Sequence, residues 1–339
     1  MTNLKLPLCY YPTTTLFVDD SSEYLIELKG RLFDKVPLMA FSTQPKMALR
    51  LLDEQSDKYG FKRKNITSQE GQNMGSRSFE VNLETLRDYV YESDRYKEIS
   101  VIVVDYEMPE MDGLTFCDRI KSPYIKKILL TGVADEFKAI DAFNEGRIDG
   151  YIRKQDPNSI YQIEKLVQKL QWNYFFRQSV IYWENFAMET DMVSPLTNPK
   201  FIQYFQNIFL DLNIEEFYLC TVTGTYFLLD CQGKDIGFWS FVEDDFEFWE
   251  DLISAKDLNP KFAEILKNKE KVALVDNLLM KDISTDEDFE MLLNDYKKIE
   301  GNETYFIAVK PQSLAIDRKR VSTLKDFKEQ NNHGTFIEF

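Results

Sequence analysis

Asp19 and Asp20, Asp105, Thr131 and Lys154 share one trait: each stands just after a short run of apolar and β-branched residues. The runs are Thr13 to Val18, Val101 to Val104, Ile125 to Leu130 and Ile148 to Ile152. Each residue therefore marks the carboxyl end of a predicted strand, the edge where open α/β sheets bind ligands. Three carboxylates converging there without counter-charge would repel one another strongly. A hard divalent cation relieves that repulsion, and Mg²⁺ suits a site with few carboxylates and room for waters or phosphate oxygens. Plainer uses exist for the same residues: a strand-ending aspartate, two solvent-facing aspartates ahead of a helix, a threonine at a strand end, a solvated lysine.

The elements that must position these residues can be read on either side of them. In Val101 to Leu114 (VIVVDYEMPEMDGL), β-branched residues run into Asp105 without polar alternation, as in a strand buried on both faces of a parallel sheet. Pro109 cannot donate to a ladder, and Asp112-Gly113 is a turn pair, so the strand ends near Asp105. After the acid pair, Ser21 and Ser22 suit a helix start, with Tyr24, Leu25, Leu28 and Leu32 at helical spacing. Val36 to Phe41 reads as a strand, Pro45 to Leu52 as a helix, and Ala134 to Asn144 as a helix bearing Phe137, Ile140, Ala142 and Phe143. This βαβ alternation implies a parallel sheet, and right-handed crossovers place the acid-pair strand beside that of Asp105.

With 339 residues, two domains are expected. The net charge of −16 repels a phosphate backbone and disfavours nucleic-acid binding. Cys9, Cys117, Cys220 and Cys231 lack metal-ligand spacing and read as reduced core thiols of a cytoplasmic protein. No apolar run reaches membrane-spanning length, and no signal pattern opens the chain, so no membrane partner is expected.

Acid pair, Asp, Thr and Lys, each ending its own strand, together resemble the receiver domain of bacterial two-component response regulators over about the first 155 residues. The DYEMPEMDG loop, the LLTG and DEFKAIDAFNEG runs, and PLTNPKFI further resemble the quorum-sensing regulators of the LqsR type. The receiver resemblance implies that Asp105 is the phosphoacceptor, a carboxylate nucleophile. It implies that Asp19, Asp20, Asp105 and the Glu107 backbone carbonyl hold Mg²⁺. Lys154 would pair with a phosphoryl oxygen, Thr131 would move to bond another, and Tyr151 would be the switch aromatic that follows it. Pro109 and Gly113 match the loop after the acceptor. The partner implied is a sensor histidine kinase or phosphotransfer protein. The chain would accept a phosphoryl group without being an enzyme, auto-dephosphorylation apart.

Three features depart from that pattern. The Glu107 side chain would put a fourth carboxylate at the metal site. Gly132 and Val133 follow the switch threonine. An insertion at about residues 56–98 precedes the acceptor strand: a polar stretch with Gly60, Gly71 and Gly75, expected to be a mobile loop, then a helix over Asn82 to Tyr91.

Beyond Asp156-Pro157, Ile160, Ile163, Val167, Leu170 and Tyr174 recur at 3,4 spacing, the seam of a coiled coil or an amphipathic helix running to about Met188. A dimerisation helix is the reading adopted, with Ile163, Val167, Leu170 and Tyr174 facing a second copy. Packing within one chain is the alternative. The tail reads as an α+β module: a helix over Thr197 to Leu212, a three-strand meander over Phe217 to Val242, helices near Phe246 to Ser254 and Pro260 to Lys269, a strand at Val272 to Val275, a helix over Asp286 to Lys298 and a strand at Tyr305 to Val309. From Asp191 on, acidic residues outnumber basic ones 28 to 16, with one basic cluster at Arg318, Lys319 and Arg320. Glu243-Asp244-Asp245 reads as a helix cap, and His333, the sole histidine, lies near the end.

The expected fold is α/β: a doubly wound, five-stranded, flavodoxin-like receiver over residues 1–156, a connecting helix over 157–190 and an α+β output domain over 191–339. The expected role is a phosphorylation-switched regulator, acting as a homodimer and through a downstream protein partner. A nucleotide-binding or enzymatic output, a DNA-binding regulator and an unphosphorylated scaffold are the alternatives.

Overall fold

The computed structural model describes residues 6–58, 66–70, 77–81, 83–132, 135–189, 195–275, 283–301, 303–311, 316–331 and 335–337. Gly60, Gly71, Gly75, Val133, Ala134 and His333 lie outside the described residues. The chain divides into two units that interleave in sequence.

The first is built on a parallel sheet. Its strands are β1 (Thr14–Val18), β2 (Met39–Ser42), β3 (Ile99–Asp105), β4 (Lys126–Thr131) and β5 (Gly150–Arg153). They lie in the order β2-β1-β3-β4-β5, all parallel. The connecting helices are α1 (Ser22–Leu32), α2 (Pro45–Lys58), α3 (Gly113–Arg119) and α4 (Glu136–Asn144). Every residue of β3 is buried, as its unbroken apolar run requires. The five-stranded, doubly wound expectation holds for the receiver strands, whose parallel pairing brings the ends carrying Asp19, Asp105, Thr131 and Lys154 to one edge.

After β5 comes α5 (Ser159–Glu189), which begins in this unit and whose residues from Ile181 on belong to the other. Ile160, Ile163, Val167 and Leu170 pack into one core with Phe17, Val101, Val103, Ile128 and Leu130 of the sheet and Leu25, Leu28 and Leu32 of α1. Tyr174 is buried too. The seam expected to dimerise is therefore covered by its own chain. Burying such a side chain contributes about 1.5–3 kcal/mol, so Ile163, Val167, Leu170 and Tyr174 are not free to face a second copy.

The second unit is built on an antiparallel sheet. It contains α6 (Pro199–Asp211), β6 (Ile214–Leu219), β7 (Tyr226–Asp230), β8 (Asp235–Phe241), α7 (Glu243–Ala255), α8 (Pro260–Lys267), α9 (Asp286–Leu292), β9 (Lys297–Glu300) and β10 (Thr304–Pro311). The strand order is Cys9–Tyr10, β6, β7, β8, β10, β9. The buried side of α6 sets Phe205 against Phe217 and Tyr226, at 5.2 and 4.7 Å between rings, and Phe201 against Tyr305 at 5.2 Å. Gly224, in the turn between β6 and β7, has φ +90°, and a Cβ there would stand 2.7 Å from the Phe201 ring.

Several expectations change here. The helix expected over Asp286 to Lys298 stops at Leu292, because Leu293–Asn294 pairs with Val272–Ala273 and Lys297–Glu300 pairs with β10. Tertiary pairing overrides the local helix preference of Lys297 and Lys298. The inserted stretch read as loop contains two paired strands, Ile66–Glu70 and Arg77–Val81, ahead of a helix at Leu83–Asp88. Cys231 is exposed and Cys220 half-buried, so neither is a core thiol, whereas Cys9 and Cys117 are buried. In the basic cluster, Arg318 pairs with Asp235 at 3.1 Å and Arg320 lies over the Tyr91 ring at 4.5 Å. Asp245 does act as a cap, accepting from the Val242 N–H at 2.7 Å.

The domain boundaries also differ from the contiguous division expected. Residues Thr67–Tyr91 of the insertion group with the antiparallel unit, and Ser322–Phe339 group with the parallel one. There α10 (Leu324–Gln330) and β11 (Thr335–Ile337) follow. β11 joins the sheet as a sixth strand, parallel to β2. Leu324 and Phe327 form a cluster with Leu38 and Tyr96, and the buried Arg95 guanidinium donates to the Ser322 carbonyl at 2.7 Å.

At the opposite edge of the sheet from Asp105, just before β3, the buried Glu98 carboxylate accepts from the hydroxyls of Tyr11 and of Tyr174 on α5. Gln171, one turn earlier on α5, donates to the Thr13 carbonyl at 2.9 Å. Burial pushes the Glu98 pKa above its ordinary 4.5, against the two tyrosine hydroxyls that hold it down and with a smaller push up from Glu92.

Two predictions follow from this packing. Phe327→Ala should cost the parallel unit about 3 kcal/mol, read as a lower urea midpoint for its unfolding; an unchanged midpoint would show that the tail is not part of that unit. Glu98 holds its proton more tightly in the folded chain, so its contribution to stability falls as pH rises from 4.5 through the raised folded value, and is level above it. The melting temperature of Glu98→Gln should therefore climb relative to wild type across that window. A difference that does not vary with pH would rule out a buried carboxyl as its cause.

Candidate functional site: an acidic cluster at the carboxyl edge of the parallel sheet

β1 ends at Val18, and Asp19 continues in register, donating its N–H to the Ser42 carbonyl at 3.2 Å. Its carboxylate is used on both sides: Oδ1 accepts from the Ser21 N–H at 2.9 Å and Oδ2 from Lys154 Nζ at 2.7 Å. Ser21 in turn caps α1, accepting from the Tyr24 N–H at 3.2 Å. Asp105 closes β3, the next strand over. Lys154 follows β5, its N–H donating to the Thr131 carbonyl at 3.0 Å, and its ammonium bridges Asp19 and Asp105, lying 2.8 Å from Asp105 Oδ1.

Asp19, Asp20 and Asp105 each present a carboxylate oxygen within 4.8 Å of the others, with Asp19 and Asp105 buried and Asp20 exposed. Burial pushes the Asp105 carboxyl above the usual range, opposed by the hydrogen bond and charge of Lys154 and reinforced by Asp19. Burial alone would lower the Lys154 pKa, but its hydrogen bonds and charge contacts with Asp105 and Asp19 outweigh that and raise it. Three oxygens from three carboxylates, one of them open to solvent, fit a hard cation that retains waters.

The loop after Asp105 is held by Gly113 and Asp112. The Gly113 N–H donates to the Tyr106 carbonyl at 2.9 Å, and Asp112 caps α3 by accepting from the Thr115 N–H at 2.7 Å. A Cβ on Gly113 would stand 2.3 Å from the Asp105 carbonyl oxygen, so only glycine lets the helix start this close to β3. Pro109 is exposed in the same loop, between buried Met108 and Met111.

The structure thus brings Asp19, Asp20, Asp105 and Lys154 together. The Glu107 side chain is exposed and stands outside the cluster, so the fourth carboxylate expected at the metal site is not there. Thr131 is buried, and its hydroxyl donates to the Gly132 carbonyl at 3.0 Å. Tyr151 is half-buried, its ring edge-on to Phe143 at 6.3 Å.

Two neighbours escaped the sequence reading. The Tyr24 ring lies 4.5 Å from Lys154 Nζ and covers the ammonium from the first turn of α1. Burial raises the Tyr24 pKa, Lys154 opposes that rise, and Asp19 and Asp105 add to it. On the far side, Lys138 of α4 donates to the Tyr106 hydroxyl at 2.9 Å and to Asp135 at 3.1 Å, tying that helix to the residue after Asp105. The available signal was position: a helix starting straight after an edge carboxylate must lay its first turn over that edge.

A family model for the response regulator receiver domain matches residues 71–166, which include Asp105, Thr131 and Lys154 and begin after the acid pair. No curated protein matches the chain. Among solved structures, the Legionella pneumophila response regulator LqsR is similar at a TM-score of 0.76 and 29% identity, covering 97% of each chain. An adenylate cyclase structure from Rhodopirellula baltica has a TM-score of 0.33 at 22% identity, covering 52% of this chain and 98% of that one. A response regulator receiver domain protein from Clostridium thermocellum has a TM-score of 0.33 at 20% identity, covering 50% and 98%. Scores this low add nothing to the assignment. The Asp–Lys cluster at the sheet edge, the family match across it and the LqsR-like architecture from end to end agree: this chain carries a response regulator receiver domain.

Proposed function

We propose that the chain is a phosphorylation-switched response regulator in which Asp105 accepts a phosphoryl group from a sensor histidine kinase or phosphotransfer protein. The observation that carries this is the Lys154 ammonium held between Asp19 and Asp105, 2.7 and 2.8 Å away, beside exposed Asp20. Asp105 ends its strand at the sheet edge, its buried carboxylate beside exposed Asp20, so an oxygen can form the new bond to phosphorus as the donor's bond breaks. Lys154 is already within ion-pair distance of Asp105 and would shift onto a phosphoryl oxygen once the carboxylate is esterified. Asp19, Asp20 and Asp105 are the side chains that fit Mg²⁺, with the Glu107 carbonyl added by resemblance to receivers. When bound, the ion supplies positive charge against the transferring phosphoryl oxygens.

Thr131 is poised to report the change. Its hydroxyl spends its proton on the Gly132 carbonyl and would gain a stronger, charge-assisted bond by turning to the phosphoryl group. Tyr151, at the outer end of the same sheet, would then repack and alter the surface offered to partners. Because the seam of α5 is covered within the chain, the output is read as protein recruitment rather than dimerisation through that seam.

Beryllofluoride, which mimics a phosphoryl group on a carboxylate, tests the proposal on the full chain with Mg²⁺. Saturation at about a hundredfold excess over Kd should stabilise wild type by about 2.7 kcal/mol, read as a rise in melting temperature. Asp105→Ala should melt cooperatively without the rise, and Lys154→Ala should show a reduced one. No rise in wild type, or an equal rise in Asp105→Ala, would overturn the phosphoacceptor assignment.

A further inference from the structure

The antiparallel unit holds a groove of about 420 Å³, within the size range of binding clefts. One wall is a single stripe of α6, formed by Lys200, Gln203, Tyr204 and Asn207 at i, i+3, i+4 and i+7. The other is β9, through Lys298, Ile299 and Glu300. β9 pairs with β10 on one side and, among the described residues, is the last strand of its sheet. A helix flank standing beside a terminal strand is the geometry in which an extended peptide adds to a sheet, its backbone bonding to the edge and its alternate side chains facing the helix.

The charges select the peptide. Lys200 and Lys298 reach the groove against one acidic lining residue, Glu300; Lys298 and Glu300 form an exposed pair at 2.8 Å, which leaves Lys200 uncompensated, and Lys297 precedes them on the strand. This is a basic edge on a chain of net charge −16. Lysines on an edge strand guard it against indiscriminate pairing, and they leave it open to a strand that brings carboxylates.

We propose that the groove between α6 and β9 binds an acidic, extended segment of a partner protein by strand addition. Lys200 and Lys298 would take its carboxylates, and the β9 backbone its amide groups. The inference goes beyond the phosphoacceptor reading and does not depend on it, since its test uses no phosphoryl donor.

The probe is a fluorescein-labelled peptide of alternating valine and glutamate, about ten residues long, titrated with the full chain and followed by anisotropy. Wild type should bind it and should discriminate against the valine–lysine counterpart. Lys200→Glu, an exposed change on the flank of α6, should weaken binding at least tenfold while leaving the melting temperature intact. Lys298→Glu should do the same. Hydrogen exchange at residues 297–300 should slow when the peptide is bound, a readout that loose charge attraction would not move. No binding, equal binding of the lysine peptide, indifference to both charge reversals, or unchanged exchange at 297–300 would each overturn the proposal. Displacement of the peptide by an equal concentration of inorganic phosphate would also overturn it, in favour of a small-anion site.

Discussion

The parallel unit depends on an electrostatic problem solved by one ammonium group. Packing strands in parallel brings three carboxylates to a single edge, two of them withdrawn from water, where like charges repel most. Lys154 answers part of that repulsion, and it reaches its place only because β5 lies two strands from β3 and ends level with it. Tyr24 shields the ammonium on one side. The arrangement is held but incompletely neutralised, which is what gives the edge its appetite for further positive charge.

How much of this was legible depended on whether the signal was local. Asp105 and Lys154 could be found because an apolar run ending in a charged residue is visible along the chain. Tyr24 could not be assigned a partner, since the lysine it covers belongs to another strand far along the sequence. Glu98 is a lone glutamate before a strand, and nothing nearby announces the two tyrosines that surround it. The 3,4 spacing of Ile163, Val167 and Leu170 was read correctly as helix and wrongly as a dimer seam. That periodicity says one face is apolar, and it is silent on whether the cover comes from the same chain. At Lys297–Glu300 the local preference was outvoted by pairing with β10.

The least legible feature is the interleaving of the units. A three-residue strand such as Thr335–Ile337 carries no period of its own, and parallel pairing with β2 spans nearly the whole sequence. The family match begins at residue 71, after β1 and β2, so that comparison too sees the receiver only in part. The spatial unit becomes apparent once Arg95, Tyr96, Leu324 and Phe327 are seen to close over one another.

That closure has a consequence for biosynthesis. Domains commonly fold as they leave the ribosome, amino-terminal units first, but here the sheet that bears Asp105 takes its sixth strand from residues made long after the other five. A nascent or prematurely terminated chain would expose the outer edge of β2, where a stray strand could add. Completion of the sheet therefore waits on a stretch translated long after β5, and a chain broken off before it leaves the acidic edge on an unfinished scaffold.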